Sequence, residues 1–503
     1  MHSARRCWHR ASRHPLQPAC KHVRAQHAQA GSLNAITNTA APSNAEEQGR
    51  LAGKNVAIKD NITTSSLPTT AASGILSTHV SPFEATVVRL LRQNGATITS
   101  TTNLDEFGMG SHSQHSVHGP VLSPFTRDGI PLSPGGSSGG SAVAVASGQC
   151  WTALGTDTGG SVRLPAAYVG VVGFKPSYGL LSRWGVIQYA NSLDTVGVLA
   201  RSVGDVREVF EVLNQHDARD PTSLPDSVRQ RVTSSRSERQ DHKGKALRIG
   251  IPLDYNITSL APSIRKTYTT LLTTLQSQGH TLHPIHLPTT RLALSAYYVL
   301  APAEASSNLA KYDGIRYGQR STTATADASP AEKLPLYAAT RAEGFGEEVK
   351  RRILLGAYTL MSEARDNYFL QAQKVRRLVQ RDFDRVFAAP NPLLDAGGHD
   401  IGEGEREEDV VDVLLTPTAP TLPPTVEEVQ RSSPVESYMN DVFTVPASLA
   451  GLPAASVPVA LPEAVREGLG EGDVRSVGMQ VIGQFGDDEL VLRAAEVIEK
   501  LYH

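Results

Sequence analysis

The stretches PGGSSGGSA at 134–142 and GTDTGGSVRLPA at 155–166, with AIKDNI at 57–62 ahead of them, decide how the rest of this sequence is read. Glycine has no Cβ, so Gly135, Gly136, Gly139, Gly140, Gly159 and Gly160 permit turns closed to other residues and let backbone N–H groups come close to a ligand. Amides arranged this way cradle a phosphate or stabilise an oxyanion. A phosphate loop of the common kind ends in Gly-Lys-Ser/Thr, and no lysine follows either cluster. A glycine–serine string taken alone is equally compatible with a plain hairpin.

The second stretch tips the balance toward acyl chemistry. In TDTGGS the amides of Thr158, Gly159, Gly160 and Ser161 converge beside the Ser161 hydroxyl, the arrangement a tetrahedral intermediate needs. A serine nucleophile also needs a base. Many histidines fall in the N-terminal tail or in the polar stretch holding His112, His115 and His118, and none is assignable from sequence. A lysine serves when burial leaves its amine neutral. Lys59 follows Val56, Ala57 and Ile58, a strand-like run that points to such burial, although a lone lysine at a strand end is more often a surface charge.

Outward from these motifs, Leu51 to about Asp205 reads as continuous α/β. Residues 56–60 and 96–103 form strands, 83–94 a helix ending at Asn94-Gly95, and 141–147 a small-residue helix. The Gly/Ser/Pro/His-rich stretch 108–140 is too long for a simple connector and marks a functional loop. Further on, 247–252, 413–420 and 455–462 are strand-like, while 263–278, 347–388 and 488–502 carry helical periodicity. Residues 217–245 are polar, and 395–412 hold eight acids, Asp395 to Asp412, without the alternation a calcium loop requires. Both are read as surface insertions.

Formal net charge over the 503 residues is −2, so the body offers no basic field for nucleic acid. No run of 18 or more apolar residues crosses a membrane. Cys7, Cys20 and Cys150 are too few for a disulfide framework. No acid precedes Glu46, whereas Arg5, Arg6, Arg10, Arg13, Lys21 and Arg24 lie among Ser, Ala and His. That is the composition of a mitochondrial or plastid transit peptide. The expected division is 1–32, cleaved, and 33–503, a single domain.

AIKDNI, PGGSSGGSA and GTDTGGSVRLPA together resemble the amidase signature. What the resemblance implies is an α/β/α sandwich with a large mixed sheet covered by helices on both faces. It also implies a Ser–cis-Ser–Lys triad. In that triad Ser161 forms the acyl-enzyme, Ser137 relays the proton from a cis peptide after Gly136, Lys59 is the base, and the amides of Thr158 to Ser161 hold the oxyanion. Segments 175–197, 303–318, 343–360, 438–459 and 478–499 resemble the branch of the family that supplies the glutaminase subunits of glutamyl-tRNA(Gln) amidotransferases, which implies that the transit peptide is the mitochondrial one. By that resemblance Arg352 holds the α-carboxylate of glutamine, Asp441 its α-ammonium, and Tyr297 lines the site. The ammonia passes to a tRNA-binding kinase and transamidase subunit, which uses ATP and Mg²⁺ to make Gln-tRNA(Gln). A small third subunit completes the complex, and the glutaminase chain needs no cofactor or metal of its own. The helix that opens the domain in this branch is cut short here, and the acidic insertion and the Gly/Glu-rich 464–473 are additions. Two rival readings stay open: a general amidase with an apolar pocket, and a non-catalytic structural subunit.

Overall fold

Eleven strands build one mixed sheet in the computed structural model, which describes residues 33–41, 48–237, 246–322, 337–394 and 410–502. In chain order the strands are β1 (Ile36–Thr39), β2 (Asn55–Lys59), β3 (Thr97–Thr102), β4 (Thr126–Arg127), β5 (Ile130–Pro131), β6 (Thr152–Asp157), β7 (Val172–Lys175), β8 (Thr195–Ala200), β9 (Arg248–Pro252), β10 (Thr281–Ile285), β11 (Val413–Pro417), β12 (Ala454–Ala460) and β13 (Ser476–Ile482). β4 and β5 form a separate hairpin, and the sheet order is β1-β3-β2-β6-β8-β7-β12-β13-β11-β9-β10. β3, β2 and β6 run parallel, as do β11, β9 and β10, and the strands between pair antiparallel.

The strand period of two sorts each strand's side chains between two cores. Val56, Ile58, Leu154, Val198 and Ala200 enter the larger core, which also takes up the helices Thr86–Gln93, Val203–Leu213 and Asp488–Lys500. Ala57, Ala153 and Leu199 enter the smaller one with Ala142, Val143, Val162 and Ala166, from the helices Gly139–Ala146 and Arg163–Val169 and the residue before the latter. The small side chains of this second core let helix and sheet approach closely. A Cβ on Gly140 would lie 2.3 Å from the Asn103 carbonyl oxygen.

The stretch 347–388, read as one long helical pattern, is divided into Glu347–Leu360, Ser362–Arg365 and Phe369–Val386, because Met361 turns extended (φ −62°, ψ 148°). The break lets the first and last of these pack on the helix Ala293–Asn308. Gly356 meets it so closely that a Cβ would lie 1.9 Å from the Pro302 carbonyl oxygen. Asp217 and Asp220 open the polar stretch 217–245, yet both are buried. Asp217 accepts from the Thr86 and Ser182 hydroxyls and Asp220 from the Arg183 N–H, so hydrogen bonds rather than water satisfy them. A helix follows at Asp226–Ser237. The basic segment 1–32, residues 238–245 and the acidic residues 395–409 lie outside the described residues. Among the described residues no helix is long and apolar enough to cross a membrane.

Candidate active site

The alternation that sends Ala57 into the smaller core sends Lys59 to the same face, toward the start of the glycine–serine helix. β2 and β6 are parallel neighbours, with Ile58 opposite Leu154, so both open at the same sheet edge, where parallel strands commonly hold their ligands. There Lys59 is fully buried. Its Nζ lies 2.8 Å from Ser137 Oγ and 2.9 Å from Thr156 Oγ1. Burial pulls the amine down to about 7, against the opposing pull of Asp105, Asp157 and Asp194. Desolvation therefore leaves a large share of Lys59 neutral at neutral pH.

Ser137 follows a cis peptide after Gly136. Side chains are excluded here: a Cβ on Gly136 would lie 2.3 Å from Asp105 Oδ2, and one on Gly135, at φ +75°, would lie 2.8 Å from Pro165 Cα. The Ser113 hydroxyl stitches the loop, donating to the Gly135 carbonyl at 2.9 Å and accepting from the Gly139 N–H at 3.0 Å. The Ser138 N–H donates to the Ser161 carbonyl at 3.0 Å, which lays the two serine turns side by side. Ser161 is 9% exposed.

A buried ion pair braces the Ser161 turn. Asp157 accepts from Arg163 Nε at 3.0 Å and Nη2 at 2.8 Å, and from the Val162 N–H at 3.1 Å. Arg163 spends its other donors on the Thr444 carbonyl, Gln480 Oε1 and Ser448 Oγ. Each partner is thus satisfied, the condition under which a buried pair is tolerable. Burial favours the neutral form of Asp157, but the guanidinium prevails and holds the carboxyl below its usual range. Thr158, Gly159, Gly160 and Ser161 fall between the end of β6 and the first helical turn at Arg163. Among the described residues their N–H groups meet no protein acceptor.

Tyr297 covers this turn, since a Cβ on Gly159 would lie 2.6 Å from its ring. Tyr298 stands edge-on to Tyr297, and its hydroxyl donates to Asp441 Oδ2 at 3.0 Å, as Ser111 Oγ does at 2.9 Å. Burial pushes the Asp441 carboxyl up to about 7 against these two donors. Arg352 is 3% exposed, with its guanidinium 5.5–5.7 Å from the rings of Tyr189, Tyr298 and Tyr438. It donates through Nε to Glu348 at 2.8 Å and through Nη1 to the Tyr189 hydroxyl at 2.7 Å. A cavity of about 540 Å³ opens here between Ser111, His112, Arg351, Arg352 and Tyr438. Another, of about 600 Å³, is walled by Phe83, Trp184, Asp194, Tyr312 and Tyr317, and Lys59, Ser137 and Ser161 are not in its lining. Among the described residues no three His, Cys, Asp or Glu side chains gather to hold a metal.

The structure therefore brings Lys59, Ser137, Ser161, the amides of 158–160, Tyr297, Arg352 and Asp441 to one place. It adds residues that local sequence did not single out: Ser111 and Tyr298 on Asp441, Tyr189, Tyr438 and Glu348 on Arg352, and the Asp157–Arg163 brace. Asp157 and Arg163 stand six residues apart inside the quoted GTDTGGSVRLPA stretch, a signal that pairing of opposite charges across four to six residues would have exposed. Glu348 pairs with Arg352 at i, i+4 on one helix, a spacing the sequence also offered, and the others reach the site from distant segments.

The model of the family described as Amidase matches residues 4–492. The A subunit of the mitochondrial glutamyl-tRNA(Gln) amidotransferase of Ajellomyces capsulatus is 58% identical over 470 residues, covering 90% of each chain. The like-named protein of Emericella nidulans is 54% identical over 493 residues, covering 96% of this chain and 95% of its own. Among solved structures, the corresponding glutamyl-tRNA(Gln) amidotransferase chain from Thermotoga maritima aligns with a TM-score of 0.69 at 33% identity, over 93% of this chain and 87% of that one.

Proposed function

The chain belongs to the amidase family, and from that premise we propose that it is the glutaminase subunit of a mitochondrial glutamyl-tRNA(Gln) amidotransferase. Lys59, as a neutral amine, takes the Ser137 proton while Ser137 takes that of Ser161. Ser161 Oγ then attacks the side-chain amide carbon of glutamine. The amides of Thr158 to Ser161 receive the oxyanion, and the proton returns through Ser137 to the departing ammonia. Water then cleaves the acyl-enzyme by the same relay, so glutamine and water yield glutamate and ammonia. Arg352 pairs with the substrate's α-carboxylate, Asp441 with its α-ammonium, and Tyr297 lines the pocket. The ammonia goes to a tRNA-binding kinase and transamidase subunit, where ATP and Mg²⁺ are used, and a small third subunit completes the assembly. This chain requires no cofactor of its own.

The observation that carries the reading is the fully buried Lys59 amine, 2.8 Å from Ser137 Oγ and depressed to about 7. Supporting it are the Arg352 guanidinium and the Asp441 carboxylate, both against Tyr298, the opposite charges that a zwitterionic amino acid requires. A pocket for fatty-acid or aryl amides needs neither. The test is Ser161→Ala in the assembled complex. Ammonia release from glutamine is expected to vanish while ammonium added to the medium still supports tRNA amidation. Residual glutaminase activity, or failure of ammonium to rescue, overturns the proposal.

A further inference from the structure

The last rung of the β6–β8 ladder pairs Asp157 with Thr195, so one step beyond it Thr158 faces Asp194. The contact is made: Thr158 Oγ1 donates to Asp194 Oδ1 at 2.7 Å. The other carboxylate oxygen, Oδ2, accepts from the N–H groups of Tyr189 at 2.8 Å and Ala190 at 3.0 Å. Asp194 is 4% exposed, and the tight 190–194 turn is closed by its own N–H donating to the Ala190 carbonyl. Tyr189, held in this way, accepts from Arg352 Nη1 through its hydroxyl.

We propose that Asp194 is a positioning residue that fastens the Ser161 turn and the Arg352 clamp to one another, so that the amide cluster and the carboxylate-binding group stand at a set separation. This rests on the glutaminase reading for the substrate at Arg352. The chemical reason is that one carboxylate has acceptor capacity for both ends. A hydroxyl in the turn bonds to one oxygen, and two backbone amides bond to the other. An amide side chain offers a single acceptor oxygen and places an NH₂ against either a hydroxyl or two N–H donors. Asp194→Asn can turn its oxygen to the two N–H donors and its NH₂ to the Thr158 hydroxyl, which then accepts, so it removes the charge and spares both ties, whereas Asp194→Ala breaks both.

Asp194 also adds negative charge near Lys59, together with Asp105 and Asp157. Asp194 itself is faced by Arg183 and by the Thr158, Ala190 and Tyr189 donors. Removing its charge makes the protonated amine less favourable, so the base becomes neutral at lower pH.

The test compares ammonia release from glutamine with release from 4-aminobutanamide, which is glutamine without its α-carboxylate, in the assembled complex. Asp194→Ala is expected to lower kcat roughly tenfold on both amides, the scale of one lost charged hydrogen bond. It is expected to raise KM for glutamine alone and to move the acid limb of kcat/KM to lower pH. Thr158→Val is expected to reproduce the kcat loss without the KM change, and Thr158→Ser to keep wild-type kcat. A limb that stays in place, or a KM for glutamine that does not move, overturns the proposal. If Asp194→Ala does not fold, Thr158→Val and Tyr189→Phe decide instead: coupled losses in the double variant support the proposal, and additive ones refute it. A wild-type enzyme without preference for glutamine over 4-aminobutanamide sinks the functional reading, while the kcat and pH arms on the second amide still judge Asp194.

Discussion

Replacing Asp441 by Asn is a clean probe of substrate recognition, because the structure separates the carboxylate's charge from its packing. Ser111 Oγ and the Tyr298 hydroxyl both donate to Oδ2, at 2.9 and 3.0 Å. An asparagine that places its oxygen there keeps both bonds and the local fold. What it loses is the negative charge and the acceptor Oδ1, which has no protein donor among the described residues. A buried hydrogen bond to a charged group contributes about 1.5–3 kcal/mol, so kcat/KM for glutamine should fall roughly 10- to 150-fold. Glutaramate, which is glutamine without its α-ammonium, should be hydrolysed by variant and wild type at similar kcat/KM. Protonation supplies an independent check. Burial raises this carboxyl to about 7, so the charged form prevails above that pH and is lost below it. The wild-type preference for glutamine over glutaramate should therefore shrink as pH falls through about 7, and Asp441→Asn should show no such change. Lys59 titrates in the same window, but both amides need the base, so its contribution cancels in the ratio. Equal losses on the two amides, or a preference independent of pH in the wild type, would refute the assignment of the ammonium to Asp441.

Two further outcomes follow from the same geometry. With Lys59 depressed to about 7 and needed neutral, the rate should climb as pH rises through that value and then level. Lys59→Met should remove the climb and cost about 10²- to 10⁴-fold in kcat, the usual worth of a positioned base; a wild-type profile flat across pH 7 would exclude the lysine as base. Arg163→Met strands the buried Asp157 carboxylate, a loss of about 3–5 kcal/mol, visible as a lower unfolding midpoint in denaturant. An unchanged midpoint would mean that the turn does not depend on this brace.

The parts of the site legible in the sequence are those whose constraint is local. Positions 135, 136, 159 and 160 must be glycine because backbone or side-chain atoms sit where a Cβ would be, and so the motif survives as a readable string. Strand alternation around Val56, Ala57 and Ile58 places Lys59 on the inner face, and it is buried as expected. The long helical pattern from 347 carried no sign of its break at Met361, because the apolar period continues across it. The break at the extended Met361 goes with packing of the first and last pieces against the helix Ala293–Asn308. Nor did the polar composition after Asp217 reveal that Asp217 and Asp220 are buried, since their partners Thr86, Ser182 and Arg183 lie outside that stretch.

By itself the sequence determined the lysine, the two serines and the glycine turns, because spacing along one chain dictates which of these can face each other. Only the tertiary structure decided what orients them. Tyr189 and Tyr438 meet at Arg352 from two segments outside its own helix, and Ser111 and Tyr298 meet at Asp441 from two more. A buried charge takes whatever donors the fold carries to it, and no local pattern records which ones those are.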